Sequence, residues 1–156
     1  MEDELREAWR TNNRIHLLLL DHISDEGLQC TLSTRGGRDV ARQFAHVHNV
    51  RIWHLQNRRA KDLTEGLEKF DAKTLPSRED LKTALIASCE AVERFLVDVL
   101  KGQDNRRGFK KGVFTNLSYF IAHESHHRGS ILLTLKQSGH AVEKDVRYGI
   151  WAWDSL

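Results

Sequence analysis

A single proline, Pro76, stands in 156 residues. Proline removes a backbone donor and clashes with the preceding turn, so its scarcity leaves long stretches free to be helical. Four such stretches carry helical spacing of apolar residues. The first runs from about Asp3 to Ser24, with Leu5, Trp9, Ile15, Leu19 and Ile23 in phase and Leu17, Leu18 and Leu20 widening the face. Gly27 reads as its stop, and Leu28 to Gly37 as a loop carrying Ser33, Thr34 and Gly36-Gly37. The second begins at Asp39, a good N-cap, and extends to about Lys61 with Val40, Phe44, Val47, Val50 and Leu55 on one side. Ser77, with Asp80 three residues on, opens the third, which carries Leu81, Leu85, Ala91, Phe95, Leu96 and Val99 and stops at Gly102. The fourth spans about Val113 to Gln137 with Phe114, Leu117, Phe120, Ile121, Ile131 and Leu135, closed by Gly139.

Four amphipathic helices and no period-2 strand predict an all-α four-helix bundle, residues 1–156 forming one domain. Its connections of about ten residues or more are long for simple hairpins, so crossover connections are expected. The apolar tail Tyr148-Gly149-Ile150-Trp151-Ala152-Trp153 must fold back or find a partner, which predicts a homodimer.

Composition narrows the function classes. With 24 Lys+Arg against 22 Asp+Glu the net charge is +2, which gives no bulk attraction for nucleic acid or an anionic membrane. Arg106-Arg107 with Lys110-Lys111 reads as a solvated basic loop. The longest aliphatic run, Leu17 to Leu20, is far too short to span a bilayer. Cys30 and Cys89 lack C-x-x-C spacing and are too few for a disulfide framework, and the charged N-terminus is unlike a secretory leader. A cytoplasmic location is expected.

The chemistry concentrates in His123-Glu124-Ser125-His126-His127-Arg128-Gly129. A helix stacks His123 and His127, four apart, on one face beside Phe120 and Ile131, and turns His126 to solvent. Inward imidazoles are poor core material because their nitrogens need partners, whereas two rings one turn apart suit a metal ion. A third ligand is required, and the second helix offers His46 and His48, between which spacing does not decide. His16 lies near the interior of the first helix. His22, His54 and His140 sit near helix ends, where histidines cap carbonyls or face water.

The stretch Val40-Ala41-Arg42-Gln43-Phe44-Ala45-His46-Val47-His48-Asn49-Val50-Arg51, together with His123 to Gly129 and the opening Trp9…Asn12-Asn13-Arg14, resembles the DinB/YfiT-like superfamily over nearly the whole chain. That resemblance implies a four-helix bundle holding a divalent metal through one histidine of the second helix and two of the last. Carried onto this sequence, they are His46, His123 and His127.

The same stretch spells H-E-x-x-H, which would make Glu124 a general base in a zinc protease. The metzincin continuation is missing, since Ser130 and Leu133 stand where Gly and His belong, and no strand is available to present a peptide. Glu124 is instead expected to pair with Arg128 or Arg51 and to orient the site. Three neutral imidazoles leave an open position that can acidify a water or hold an external thiol, and imidazole favours zinc or nickel. Members of the resembling superfamily include thiol-dependent transferases. The expected reaction is therefore activation of a low-molecular-weight thiol or of water against a small-molecule substrate, the alternative being a non-catalytic, stress-associated metal-binding or interaction module. His16 or Trp9 is expected on the pocket wall.

Overall fold

A computed structural model describes residues 1–156 as helices joined by loops, without strands. Helix α1 spans Glu2–His22, the short α2 Asp25–Leu28, α3 Val40–Asn57, α4 Arg78–Leu100, α5 Val113–Gln137 and the short α6 Lys144–Gly149. A 3-10 turn covers Lys61–Thr64. Local signals set the starts of these helices. The Asp39 side chain accepts from the Arg42 N–H at 2.8 Å, and the Ser77 hydroxyl accepts from the Asp80 N–H at 3.1 Å, each satisfying a donor that the first turn leaves free.

Two boundaries and two residue placements differ from the sequence expectation. Gly27 does not stop a helix. It lies buried inside α2, which Ser24 caps, with the Leu135 side chain 3.0 Å from where a Cβ would stand. Helix α3 ends at Asn57 rather than near Lys61, because Arg59 adopts φ +56° and the Ala60 N–H returns to the Leu55 carbonyl. That left-handed closure ties off the last turn at no hydrophobic cost, so periodicity did not reveal it. Phe114, counted toward the apolar face, is exposed. Arg106 is not part of a solvated loop: its side chain is 6% exposed, held by Asp98 and Asp62 at 2.8 Å each.

The four long helices form the bundle, with α1 packed on α4 and α5, and α3 on α4 and α5. Helices α1 and α3 occupy opposite corners. Pairings of Arg6 with Glu93 and Lys82 with Asp21 show α1 and α4 antiparallel. His48 and Arg51 reach the Ala84 and Leu85 carbonyls, and His54 meets Phe95, so α3 and α4 are parallel. Residues 58–77 must therefore run back along the bundle, and they do so beside α3, where Asn49 exchanges hydrogen bonds with the Phe70 backbone at 2.9 Å. The expected crossover is this segment.

The apolar core is divided. One cluster gathers Ile15, Leu19, Phe44, Val47, Leu81, Leu85, Ile131 and Leu135, with Val146 and Ile150 of the tail. The other gathers Leu5, Trp9, Leu55, Val92, Phe95, Leu117 and Phe120. Between them lies a layer of buried polar side chains from all four long helices: Asn12, Asn13, His16, Arg51, Ser88, Glu124 and Arg128.

Candidate metal centre

His46 of α3 and His123 and His127 of α5 converge, with one donor atom from each lying within 4.8 Å of the others. Ring centroids are 4.8 Å apart for His46–His127, 5.6 Å for His46–His123 and 4.7 Å for His123–His127. The antiparallel α3–α5 contact makes this possible, since successive turns of α5 face a single turn of α3. All three rings are half-buried. Loss of solvent, reinforced by the neighbouring positive groups including Arg38, lowers His46 and His127 to about 4. Burial lowers His123 as well, against the partial opposition of Glu124. The rings are thus neutral near pH 7, with lone pairs available for a cation.

His48 is turned away from this cluster. It is buried, with Nδ1 2.9 Å from the Ala84 carbonyl and Nε2 2.9 Å from that of Glu68, so it ties the crossover segment to α3 and α4. His126 is exposed. His54, expected at a water-facing helix end, is 2% exposed. It sits among Phe95, Phe109, Tyr119 and Phe120 with Nε2 unbonded, and burial among these rings lowers it to about 4.

Glu124 is fully buried beneath the cluster. Arg51 grips it with two N–H groups, Nε to Oε1 at 2.7 Å and Nη2 to Oε2 at 2.9 Å. Asn12 Nδ2 donates to Oε2 at 2.6 Å, and His16 Nε2 lies 2.8 Å from the same oxygen. Burial alone would raise this carboxyl, but the Arg51 charge and hydrogen bonds outweigh it and hold the group well below the usual range. His16 is the opposite case. Desolvation prevails over Glu124 and lowers it to about 4, so the neutral ring donates through Nε2–H and leaves Nδ1 bare. Of the two partners expected for Glu124, Arg51 forms the ion pair and Arg128 does not. Arg128 instead donates to Asn12 Oδ1 at 2.8 Å and to Ser125 Oγ at 2.7 Å. Arg51 also donates to Asn13 Oδ1 and the Leu85 carbonyl at 2.9 Å each, with its guanidinium 4.8 Å above the Trp9 ring.

The network binds α1, α3, α4 and α5 directly behind His123, and so fixes the register that brings His46 opposite His123 and His127. Trp9 and His16, the two candidates for a pocket wall, both lie fully inside this packing instead.

Two surface clefts reach the cluster. A cavity of about 650 Å³ opens on the His46 side, bounded by Arg38, Arg42, Asn49, Phe70 and Asp71. A second of about 290 Å³ opens on the His127 side, bounded by Leu32, Gln43, Ser130 and Leu133. Gly37 and Arg38 border both. The three histidines are the whole cluster, with no carboxylate or thiol alongside them. Cys89 is buried and its thiol is pushed up to about 11 by loss of solvent, so it is a poor nucleophile.

Glu124 and the three histidines were visible in the sequence. Ser88 and Arg38 were not singled out, because a serine and a loop arginine carry no spacing signal, and Asn12 entered only through the family resemblance. No helix is long and apolar enough to cross a membrane. The family whose model matches the chain is the DinB family, over residues 1–151. Comparison with curated proteins and with solved structures gives no match.

Proposed function

The chain belongs to the DinB family, and from that premise we propose that it is a metal-dependent enzyme whose three-histidine centre activates a low-molecular-weight thiol for transfer to an electrophilic small molecule. The observation that carries this reading is a cluster of exactly three neutral imidazoles, completed by no fourth protein ligand and reached by two clefts. A structural site would be closed by the chain itself. The donor set fits a borderline cation such as zinc or nickel, which imidazole nitrogens bind at about 2.0–2.1 Å, and one nitrogen of each ring lies within 4.8 Å of the others.

When bound, such an ion lowers the pKa of a thiol or water in its open position. The chain supplies the rest. His46, His123 and His127 hold the ion, and their neutrality at pH 7 leaves its positive charge undiminished. Glu124, saturated by Arg51, Asn12 and His16, acts as a positioning residue that keeps α5 in register with α3. The buried Cys89 does not compete, so the nucleophile enters from outside through a cleft. The thiol proton passes to solvent, the sulfur forms a bond to the electrophilic carbon, and the leaving group departs with the bonding electrons. Water in place of the thiol would make the same centre hydrolytic.

The test is to load the protein with zinc or nickel and follow conjugation of 2-mercaptoethanol to 1-chloro-2,4-dinitrobenzene, alongside hydrolysis of 4-nitrophenyl acetate. Conjugation faster than in buffer, lost in His123→Ala and His127→Ala, supports the thiol reading. Ester hydrolysis alone turns the assignment to a hydrolase. Neither activity, with metal bound, leaves the non-catalytic metal-binding reading in possession.

A further inference from the structure

Resting on the thiol-activation reading, we infer that Arg38 is the specificity-determining residue of the site, and that the substrate it selects carries a carboxylate close to the reacting thiol. The loop that bears Arg38 is built to a fixed shape. Ser33 Oγ accepts from the N–H groups of Arg35 and Gly37 at 3.3 and 2.8 Å. Gly36 takes φ +80°, and a Cβ on Gly37 would lie 2.5 Å from that of Ser33, so neither position tolerates another residue without strain. The Thr31 hydroxyl donates to the Arg38 carbonyl at 3.3 Å, and the Val40 N–H closes the neck on the Cys30 carbonyl at 3.0 Å. The backbone of Arg38 is therefore anchored on both sides, directly before the cap of α3.

Its side chain is the contrast. Arg42, one turn on, is consumed by Asp39 and by the Ala72 and Lys73 carbonyls. Arg51 and Arg128 are consumed by the buried layer. The Arg38 guanidinium makes no hydrogen bond and no ion pair with the protein, yet Arg38 is a residue that lines both clefts that reach His46 and His127. The nearby carboxylate of Asp39 is occupied by Arg42, and that of Asp71 receives the Lys73 N–H. A planar fork of donors beside the histidine cluster, paired with no side chain of the protein, suits a planar two-oxygen acceptor. Arg42 shares the cavity but is paired with Asp39, and Asp39 also caps the adjacent α3 N-terminus, so Arg38 is the unpaired guanidinium there and matches the one charge of a carboxylate better than a phosphate dianion.

The experiment uses cobalt-substituted full-length protein, in which sulfur coordination gives a near-ultraviolet charge-transfer band. Titration with 3-mercaptopropionate and with 2-mercaptoethanol, two thiols of similar size, yields two dissociation constants. The charged thiol is expected to bind about three- to tenfold more tightly, as for a partly exposed charge-assisted contact. Arg38→Gln should remove that preference while keeping one cobalt per chain and the constant for 2-mercaptoethanol. Equal constants in the wild type, or an Arg38→Gln variant that weakens both thiols alike, overturn the inference and leave thiol activation standing. If neither thiol produces the band, thiol activation fails, and Arg38 is judged separately with succinate and inorganic phosphate. A saturable shift of its side-chain Nε–Hε NMR signal with succinate, exceeding that with phosphate, upholds the carboxylate site. No shift, or a preference for phosphate, overturns it.

Discussion

Glu124→Gln tests the buried layer most directly. The substitution keeps the shape of the side chain but removes the only negative charge facing Arg51, which has no solvent exposure. Gln can still accept one N–H from Arg51, but its amide nitrogen must then meet donors, since Asn12 and His16 both point N–H groups at Oε2. Breaking one side of a buried ion pair costs about 3–5 kcal/mol, because the surviving charge is left uncompensated. For a chain of this size each kcal/mol moves Tm by roughly 2–4 °C, so the variant should melt about 6–20 °C below the wild type. Thermal unfolding by circular dichroism, with urea titration for ΔG, is the assay. The double variant Glu124→Leu/Arg51→Met, which removes both charges at similar volume, should recover much of the loss. Well below its Tm, Glu124→Gln should still bind one metal per chain. A Tm within about 3 °C of the wild type, equivalent to ~1 kcal/mol, would refute the account of this layer as the clamp between α3 and α5.

Metal analysis by mass spectrometry on untagged protein should give one zinc or nickel per chain, lost in His46→Ala, His123→Ala and His127→Ala but retained in His48→Ala; metal lost from the His48 variant alone would move the third ligand. Stability of the metal-free protein should fall with acid. His16 and His54 are held near 4 when folded, below their unfolded value of about 6.5, so each contributes stability that is complete above pH 6.5 and drains away toward pH 4 at about 1.4 kcal/mol per unit. A Tm that stays flat from pH 7.5 to 5 contradicts this, and His54→Phe should make the slope shallower. Light scattering should give twice the 18.0 kDa chain mass, because Tyr148 and Trp151 remain 66% and 75% exposed after the tail has docked Ile150; a mass near 18.0 kDa at high concentration removes the dimer.

Much of the fold was legible because helices advertise themselves in a periodic pattern, and the pattern in residues 113–137 matched α5 to the residue. The breaks were less legible. The end of α3 depends on a left-handed Arg59, a conformation that leaves no mark in hydrophobic spacing. The direction of the helices was hidden as well, since amphipathicity says which face is buried and not which neighbour covers it. That gap is why the sequence left the partner of Glu124 open between Arg128 and Arg51. From α5 alone, Arg128 is the natural partner of Glu124, one turn away on the same helix. The bundle instead brings Arg51 across from α3 with two parallel N–H groups, and the bidentate geometry wins over the helical neighbour.

His46 and His48 show the same limit in sharper form. Both lie on α3, and both have acceptable partners for an imidazole: the ring cluster for one, two backbone carbonyls for the other. Their assignment turns on where residues 65–70 run, because that part of the crossover supplies the Glu68 carbonyl that captures His48. A chain-reversing loop with no periodicity thus decides which histidine remains free to face α5. The division of the core follows from the same cause. Glu124 and Arg51 are separated by 73 positions, and only the antiparallel contact of α3 with α5 makes them neighbours. Once that contact forms, the Arg51–Glu124 pair and the His46–His123–His127 cluster are two consequences of one register, so a slip of a single helical turn would leave a buried charge unpaired and scatter the ligands together.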